Sequence, residues 1–159
     1  MTKEMLRSRP YIPDYGIEES DKGLLEWDFV EKHMTESKNY WLSTTTPQGN
    51  PHAIPIWGAW FKKCFYFGGG PDTKNRKNLS SNPNIVVHTE SGVLVVIIEG
   101  IVSLETNDTI NNEIITIYKE KYKLDHPAPF WRVDPIKVFA WNMEDYAGTP
   151  TKFTFTKTY

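Results

Sequence analysis

The feature that most constrains the fold is a run of short β-branched and aromatic segments, each closed by a tight-turn sequence. Tyr40–Thr46 and His52–Trp60 are separated by Pro47–Asn50, where proline presets the second turn position and Gly49 accepts the left-handed one. This arrangement predicts a β-hairpin. A third strand, Cys64–Phe67, follows after three residues, so it is expected to continue the antiparallel pairing.

The rest of the chain continues this pattern and adds helices. Further strands are predicted at Asn84–Glu90, Leu94–Leu104, Lys137–Trp141 and Thr151–Phe155. Amphipathic spacing predicts helices at Leu24–Lys38, Thr73–Ser81 and Asn107–Tyr122, with Ser20 or Asp21, Asp72 or Thr73, and Thr106 or Asn107 as N-caps. Ile, Val and Thr number 37 against 13 for Leu and Ala, which favours sheet. We expect a mainly β fold with inserted helices, forming a closed or partly closed barrel of about six antiparallel strands, because closure removes exposed strand edges.

Length and composition indicate one domain. A chain of 159 residues supports one core rather than two. Residues 1–20 are predicted to form an irregular N-terminal arm, because Pro10, Pro13 and Gly16 interrupt them, and residues 21–159 to form the single domain.

Composition also argues against several partners. The formal net charge of -2 gives no basic field for nucleic acid. The longest purely apolar stretch, Val93–Ile98, is far shorter than the ~20 residues that span a bilayer. Met1–Pro10 contains no apolar run, so we expect no signal peptide and a cytoplasmic location. The histidines and Cys64 lack metal-ligand spacing, so no metal site is expected.

A glycine-rich loop followed by a basic helix is the first candidate site. The loop is Gly68–Asp72, and five cations crowd around it: Lys62, Lys63, Lys74, Arg76 and Lys77. A glycine loop before a helix N-terminus exposes backbone N–H groups that can bind phosphate, and Thr73 with Lys74 would add a hydroxyl and a charge. A glycine turn followed by a solvated basic helix explains the same residues equally well.

The strand His52–Trp60 is the second candidate. Pro55 cannot donate to a β-ladder and is expected at an edge or bulge, and Gly58 would let a flat ring approach the backbone. His52 is more simply a structural histidine than an acid or base, and Cys64 a core thiol. No catalytic pair can be assigned from the sequence.

Taken together, these segments resemble the flavin- and deazaflavin-binding split β-barrel proteins related to pyridoxamine 5′-phosphate oxidase. The similarity runs from about Leu24 to Phe155. The segments that carry it are Tyr40–Trp60 (Y-W-L-S-T-T-T-P-Q-G-N-P-H-A-I-P-I-W-G-A-W), the glycine loop, Thr73–Pro83 (T-K-N-R-K-N-L-S-S-N-P), Val86–Ser91, the apolar strand ending at Glu99-Gly100, Lys137–Trp141 and Thr149–Phe155.

The resemblance implies an FMN-binding split barrel that forms a homodimer with two equivalent cofactor sites at the interface. It implies ring contacts from Ile54, Pro55, Ile56, Trp57 and Gly58, further contacts from Tyr66, Phe67 and Gly68, and phosphate contacts near Thr73, Lys74, Asn75 and Asn78. The second subunit would contribute Trp141, Lys152 and Phe153.

Four departures from the family pattern bear on activity. Related sequences often have Arg-Lys where this chain has Lys74-Asn75, and Arg-Trp where it has Lys152-Phe153. Val95 stands where the oxidase has a polar side chain, and the C-terminal Arg-x-His that grips pyridoxamine phosphate is missing. Vitamin B6 oxidation is therefore not the expected activity.

Three functions are compatible with these residues. The leading one is an FMN-dependent oxidoreductase that transfers a hydride between the flavin and a small-molecule substrate or electron acceptor. An F420-dependent reductase is the second, with Lys62, Lys63 and Lys77 lining a wider groove for a longer phosphate-containing tail. A non-catalytic flavin or haem binding or storage protein is the third.

Overall fold

The computed structural model describes residues 3–157 and shows nine strands and three α-helices there. In chain order they are β1 (Lys3–Ser8), α1 (Trp27–Glu36), β2 (Tyr40–Thr45), β3 (Pro51–Ile56), β4 (Ala59–Phe61), β5 (Cys64–Phe67), α2 (Lys74–Ser81), β6 (Asn84–Thr89), β7 (Leu94–Leu104), α3 (Asp108–Tyr122), β8 (Trp131–Asn142) and β9 (Thr151–Lys157). A short 3₁₀ helix, Met143–Asp145, follows β8.

The strands form an antiparallel sheet in the order β1-β9-β8-β7-β6-β2-β3. Strand β8 pairs with β7 along its whole length, but its other edge is divided between two partners. Its first residues, Trp131–Val133, pair with β5, and Lys137–Ala140 pair with β9. The sheet therefore splits at β8, which confirms the predicted split-barrel class, with nine strands rather than about six.

The predicted hairpin is confirmed, with Tyr40 opposite Ile56 and Thr45 opposite Pro51. The predicted strand His52–Trp60 is not continuous, because the chain leaves the ladder at Trp57 and Gly58 before β4 begins. A side chain at residue 58 would place its Cβ 2.1 Å from Cζ of Phe65. Only glycine lets the chain turn this close to the core.

Two further boundaries differ from the prediction. Residues 3–8 are not irregular: they form β1 and pair with β9, although their sequence lacks a buried apolar alternation. Strand β8 begins at Trp131 instead of Lys137, because a register shift at Glu99/Gly100 of β7 accommodates Pro135 opposite Gly100.

Helix starts agree with the prediction in two of three cases. Oδ1 of Asn107 accepts the N–H of Ile110 at 3.1 Å and caps α3. Thr73 occupies the N-cap position of α2, although its hydroxyl donates to the carbonyl of Gly70 instead of capping. Helix α1 begins only after Glu26, so the predicted caps Ser20 and Asp21 are wrong.

Alternating burial along the strands gives the sheet an inner and an outer face. The main core lies on the inner face under α1, and a second cluster lies against α3 around Tyr66, Ile114, Tyr118 and Phe130. Among residues 3–157, no helix is long and apolar enough to cross a membrane.

Candidate functional site

A groove of about 500 Å³ lies between the end of β3 and the start of the glycine loop. We call it the aromatic groove, and its lining residues are Asn39, Pro55, Ile56, Trp57, Gly68, Gly69, Tyr118 and His126. Four of these are residues that the sequence predicted to contact a cofactor: Pro55, Ile56, Trp57 and Gly68. Helix α3 and the loop that follows it supply Tyr118 and His126.

Trp57 is a large, exposed hydrophobic residue of the groove. The residue is 47% exposed, and its ring stacks on Tyr122 with centroids 4.6 Å apart and planes 6° from parallel. The hydroxyl of Tyr122 accepts the Gly58 N–H at 3.0 Å and lies 2.7 Å and 2.8 Å from the carbonyl oxygens of Lys38 and Gly58. Trp57 is therefore braced on one face by a ring that is itself anchored.

A half-buried lysine connects α3 to the same turn. Nζ of Lys121 donates to the hydroxyl of Tyr40 at 2.6 Å and to the carbonyl of Gly58 at 3.2 Å. Burial lowers the pKa of Lys121 to about 8, and burial raises the pKa of Tyr122 to about 12. The Tyr118 hydroxyl donates to the Trp57 carbonyl at 3.0 Å. These bonds fix the Trp57–Gly58 turn against the helix.

His126 closes the groove over Gly68. A Cβ at residue 68 would lie 2.2 Å from Cε1 and Nε2 of the imidazole, so any larger residue here would displace this ring. Tyr118 and Phe130 flank the imidazole at 5.2 Å and 5.0 Å. Nδ1 lies 2.8 Å from the Pro127 carbonyl oxygen, which can only accept, so Nδ1 carries a proton. Nε2 has no hydrogen-bond partner among the described residues.

The glycine loop and α2, residues 68–81, form what we call the cationic segment. Lys74 and Lys77 are exposed, and the backbone N–H groups of Lys74 and Asn75 have no acceptor within residues 3–157. Arg76 is engaged elsewhere, because its guanidinium stacks on Trp131 at 4.1 Å and donates to the Gly69 carbonyl. Lys77 is exposed, so besides Lys74 it is the cation of α2 that is available to a phosphate.

Several predicted contact residues lie inside the protein. Tyr66, Phe67, Asn75, Asn78 and Phe153 are each at most 3% exposed. Nδ2 of Asn78 donates to the Thr44 hydroxyl, and Phe153 packs edge-on against Trp27 at 5.1 Å. The expectation that Phe153 touches a cofactor does not fit this placement, because strand alternation directs its side chain into the core. Gly58 is also buried.

Other predicted residues lie on the outer face of the sheet. Lys152 and Trp141 are half-buried there, with Lys152 opposite Phe139 and Trp141 opposite Val95. Within residues 3–157, the buried Nε1 of Trp141 has no hydrogen-bond partner. Neither residue lines the aromatic groove.

Sequence reasoning missed Tyr118, Tyr122 and His126 as parts of the site. It assigned Tyr118 only to the apolar face of α3. The spacing of Tyr118 and Tyr122, four residues apart, places both on one helix face, and His126 follows after four more. That spacing indicated a shared surface, but nothing in the sequence showed that this surface meets β3.

An antiparallel sheet divided at β8, with helices inserted between its strands, defines the split β-barrel class. The family model for pyridoxamine 5′-phosphate oxidase matches residues 27–142, and the chain belongs to that family. No curated protein sequence matches the chain.

Solved structures share the fold at low sequence identity. A conserved hypothetical protein from Mycobacterium tuberculosis has a TM-score of 0.64 at 15% identity, covering 75% of this chain and 86% of its own. An F420 reductase has a TM-score of 0.56 at 18% identity, with coverages of 68% and 94%. A haem storage protein from Vibrio cholerae has a TM-score of 0.57 at 16% identity, with coverages of 70% and 91%. At these identities the likeness supports the fold alone.

Proposed function

We propose that the chain is an FMN-dependent oxidoreductase that works as a homodimer. The observation that carries the proposal is the cationic segment, where exposed cations and unpaired backbone N–H groups adjoin an aromatic groove. Proteins of this family generally bind FMN, whose phosphate and flat ring need these two kinds of surface.

The cationic segment fits the phosphate end of FMN. The N–H groups of Lys74 and Asn75 point out of the first turn of α2, where the helix dipole favours an anion. Lys74 adds an exposed ammonium, and the Thr73 hydroxyl is close by in the chain. Each charge-assisted hydrogen bond contributes about 1.5–3 kcal/mol. The departure from the family pattern at Asn75 is tolerable because these backbone donors remain.

The flat ring of FMN would lie along β3 and the Trp57–Gly58 turn. When bound, FMN supplies hydride transfer, and the protein supplies orientation and a dry environment. The chain's own contribution is a fixed turn: Tyr122, Lys121 and Tyr118 all bond to the backbone of residues 57 and 58. Backbone groups held in this way can orient a ring without a catalytic side chain.

The outer face of the sheet supports the homodimer. Its half-exposed apolar side chains include Trp41, Val86, Ile97, Phe139 and Trp141, and no helix of residues 3–157 covers them. Large apolar surfaces of this kind mark interfaces. Trp141 and Lys152 belong to this face, so we infer that the partner subunit's Trp141 and Lys152 lie near each cofactor.

An F420-dependent reductase is the less favoured enzyme. Lys62 and Lys63 would have to widen the cofactor groove, but they line a separate groove with Lys3, Cys64 and Asp134. Their ammonium groups lie over the rings of Phe61 and Trp27. The cationic segment is therefore not extended toward them, which favours the shorter FMN tail.

Parallel titrations of the purified protein with FMN, F420 and haemin test the proposal. We expect saturable quenching of FMN fluorescence at one FMN per chain, and an FMN-loaded protein that transfers electrons from a nicotinamide to an acceptor. Binding of F420 without binding of FMN would identify the deazaflavin, and not FMN, as the cofactor. A Soret band without flavin uptake, or flavin uptake without turnover, would support the storage function instead.

A further inference from the structure

A second groove, of about 320 Å³, lies beside the two-residue turn that joins β4 to β5. Three lysines line it, Lys3, Lys62 and Lys63, and we call it the lysine groove. We propose that it binds the phosphate group of a phosphorylated small molecule, separately from the cationic segment. The four residues of β5, about 13 Å of strand, lie between this turn and Gly68. The inference does not rest on the proposed function, because none of the three lysines belongs to a surface assigned to FMN.

The turn holds its two lysines in an unusual backbone conformation. Phe61 pairs with Cys64, and Lys62 and Lys63 between them have φ angles of 48° and 60°. Two-residue turns with positive φ at both positions strongly favour Asn-Gly, because the left-handed region is unfavourable for residues with a Cβ. Formation of the hairpin therefore does not explain two lysines here, and a backbone outlier of this kind indicates a function.

The ammonium groups of the turn have no negative partner. Within residues 3–157, neither Lys62 nor Lys63 pairs with a carboxylate. Nζ of Lys62 lies 5.0 Å from the ring centre of Phe61, and Nζ of Lys63 lies 5.8 Å from that of Trp27. An aromatic face attracts a cation without neutralising its charge. Two such charges on adjacent residues can both donate charge-assisted hydrogen bonds to one phosphate dianion.

The charge of the acid in this groove is already paired. Among the described residues that line the groove, Asp134 is the only acid. Its Oδ1 lies 3.2 Å from Nζ of Lys3, and its Oδ2 accepts the Nε–H of Arg132 at 2.9 Å. Burial raises the pKa of the Cys64 thiol to about 12, so this side chain adds no negative charge. The turn therefore keeps its full positive charge, in a chain whose formal net charge is -2.

The lysine groove also offers an apolar surface next to these charges. Pro135 and Phe155 line it, and the ring of Phe155 packs edge-on against Trp27 with centroids 5.4 Å apart. A small organic group attached to the phosphate can pack on this surface. The volume of about 320 Å³ is at the lower end of the range for small-molecule sites, which favours a small phosphorylated molecule over a macromolecule.

Calorimetric titration with phenyl phosphate, with and without saturating FMN, tests this inference. The variant is Lys62→Asn/Lys63→Gly, which removes both ammonium groups and gives the turn its favoured sequence. We expect this variant to bind phenyl phosphate about tenfold more weakly than the unchanged protein at low salt. Its midpoint in urea denaturation should be no lower than that of the unchanged protein, because the turn is less strained. Weaker binding is then not caused by misfolding.

Two controls locate the bound probe. Lys32→Ala/Lys119→Ala, at exposed lysines of α1 and α3, makes the same change in net charge elsewhere and should leave the affinity unchanged. Cys64 is the only cysteine of the chain and lines the lysine groove. Phenyl phosphate should therefore slow the reaction of this thiol with N-ethylmaleimide about threefold, whereas benzyl alcohol, which lacks the phosphate, should not.

Equal affinity of the unchanged protein and Lys62→Asn/Lys63→Gly for phenyl phosphate would overturn the inference. Equal losses in the two double variants would also overturn it, because binding would then follow net charge. So would complete displacement of phenyl phosphate by FMN, which would place the probe at the cofactor site. A protein that takes up no FMN, but whose phenyl phosphate binding is weakened by Lys62→Asn/Lys63→Gly, would contradict the proposed function and support this inference.

Discussion

The aromatic groove and the cationic segment meet at Gly68 and Gly69, which belong to both, but the rest of each region is held in a different way. The groove is fixed by hydrogen bonds from α3 to the Trp57–Gly58 turn and by rings packed against one another. The cationic segment has exposed lysines, unpaired N–H groups and an open loop, in which a Cβ added at Gly69 or Gly70 would meet nothing within 4 Å. The groove is therefore held in place by contacts within the chain, whereas the cationic segment exposes groups that can still bind a ligand.

This difference indicates how the two surfaces recognise ligands. A rigid, uncharged wall discriminates by shape, because a ring either fits the fixed indole or does not. An exposed cationic turn attracts an anion at long range. The groove is therefore expected to tolerate substitution poorly, and the cationic segment to respond mainly to charge and salt.

The largest expected effect compares one glycine in each region. Gly58→Ala should lower the free energy of unfolding by about 3 kcal/mol, because its Cβ would overlap buried Phe65 and approach the Tyr66 carbonyl oxygen at 2.9 Å. The Cβ added by Gly70→Ala would meet no atom within 4 Å. This substitution should leave the free energy of unfolding unchanged or raise it by about 0.5 kcal/mol. Urea denaturation measures both, and equal effects would remove the contrast between the regions.

Lys74→Ala tests the role of charge in the cationic segment. We expect FMN affinity to fall about tenfold at 50 mM salt, because one charge-assisted hydrogen bond is lost, and the loss to shrink at 0.5 M salt, where exposed charges are screened. Lys119→Ala on α3 is the matched control. The phosphate assignment would be contradicted by unchanged affinity at both salt concentrations.

The half-buried Lys121 predicts a pH-dependent contribution to stability beside the groove. Its pKa in the folded protein is about 8, below the ordinary value of 10.5, so between these values this group binds more protons in the unfolded chain. Its contribution to the free energy of unfolding should therefore rise with pH across this window, by about 1 kcal/mol from pH 8 to pH 10 after allowance for partial exposure. The raised pKa values of Cys64 and Tyr122 act in the opposite direction, so the contribution of Lys121 is measured as a difference between variants.

The measurement is urea denaturation at pH 7, 8, 9 and 10. The free energy of unfolding of the unchanged protein should gain about 1 kcal/mol relative to Lys121→Met between pH 8 and pH 10, whereas Lys119→Met, at an exposed lysine, should run parallel to the unchanged protein. A difference between the unchanged protein and Lys121→Met that stays constant with pH would contradict the lowered pKa of Lys121.

The smallest effect concerns Arg76, which joins the two regions. Arg76→Lys removes the guanidinium that stacks on Trp131 and donates to the Gly69 carbonyl. The free energy of unfolding should fall by about 0.5–1 kcal/mol. Hydrogen exchange of the Gly68–Gly70 amides should become faster, with Lys77→Arg as the control. Unaltered exchange would show that the loop does not depend on this contact.

Local sequence patterns predicted the elements that are determined by residues close together in the chain. The β2–β3 hairpin follows from Pro47 and Gly49, and α2 follows a glycine loop and ends before Pro83. Strand β1 was missed because its residues are mostly exposed and its pairing depends on β9, at the other end of the chain. The prediction placed only Lys137–Trp141 in this strand. Its first half contains Pro135, a residue that is unfavourable inside a paired strand, and the bulge beside Gly100 accommodates it.

The candidate site was predictable only in part. The cationic segment is contiguous in sequence, so its composition was visible. The aromatic groove joins residues far apart in the chain, such as Trp57 and Tyr118, and only the packing of α3 against β4 and the turn that precedes it brings them together. Likewise, the inward direction of Phe153 is set by its strand register and not by its residue type.

Native mass spectrometry of the purified protein tests the central claim most directly. We expect a dimer that carries one FMN per chain, and a Lys74→Ala protein that remains dimeric but retains less flavin at low protein concentration. A monomer that stays free of flavin after incubation with excess FMN would contradict both the interface on the outer face and the assignment of the cationic segment.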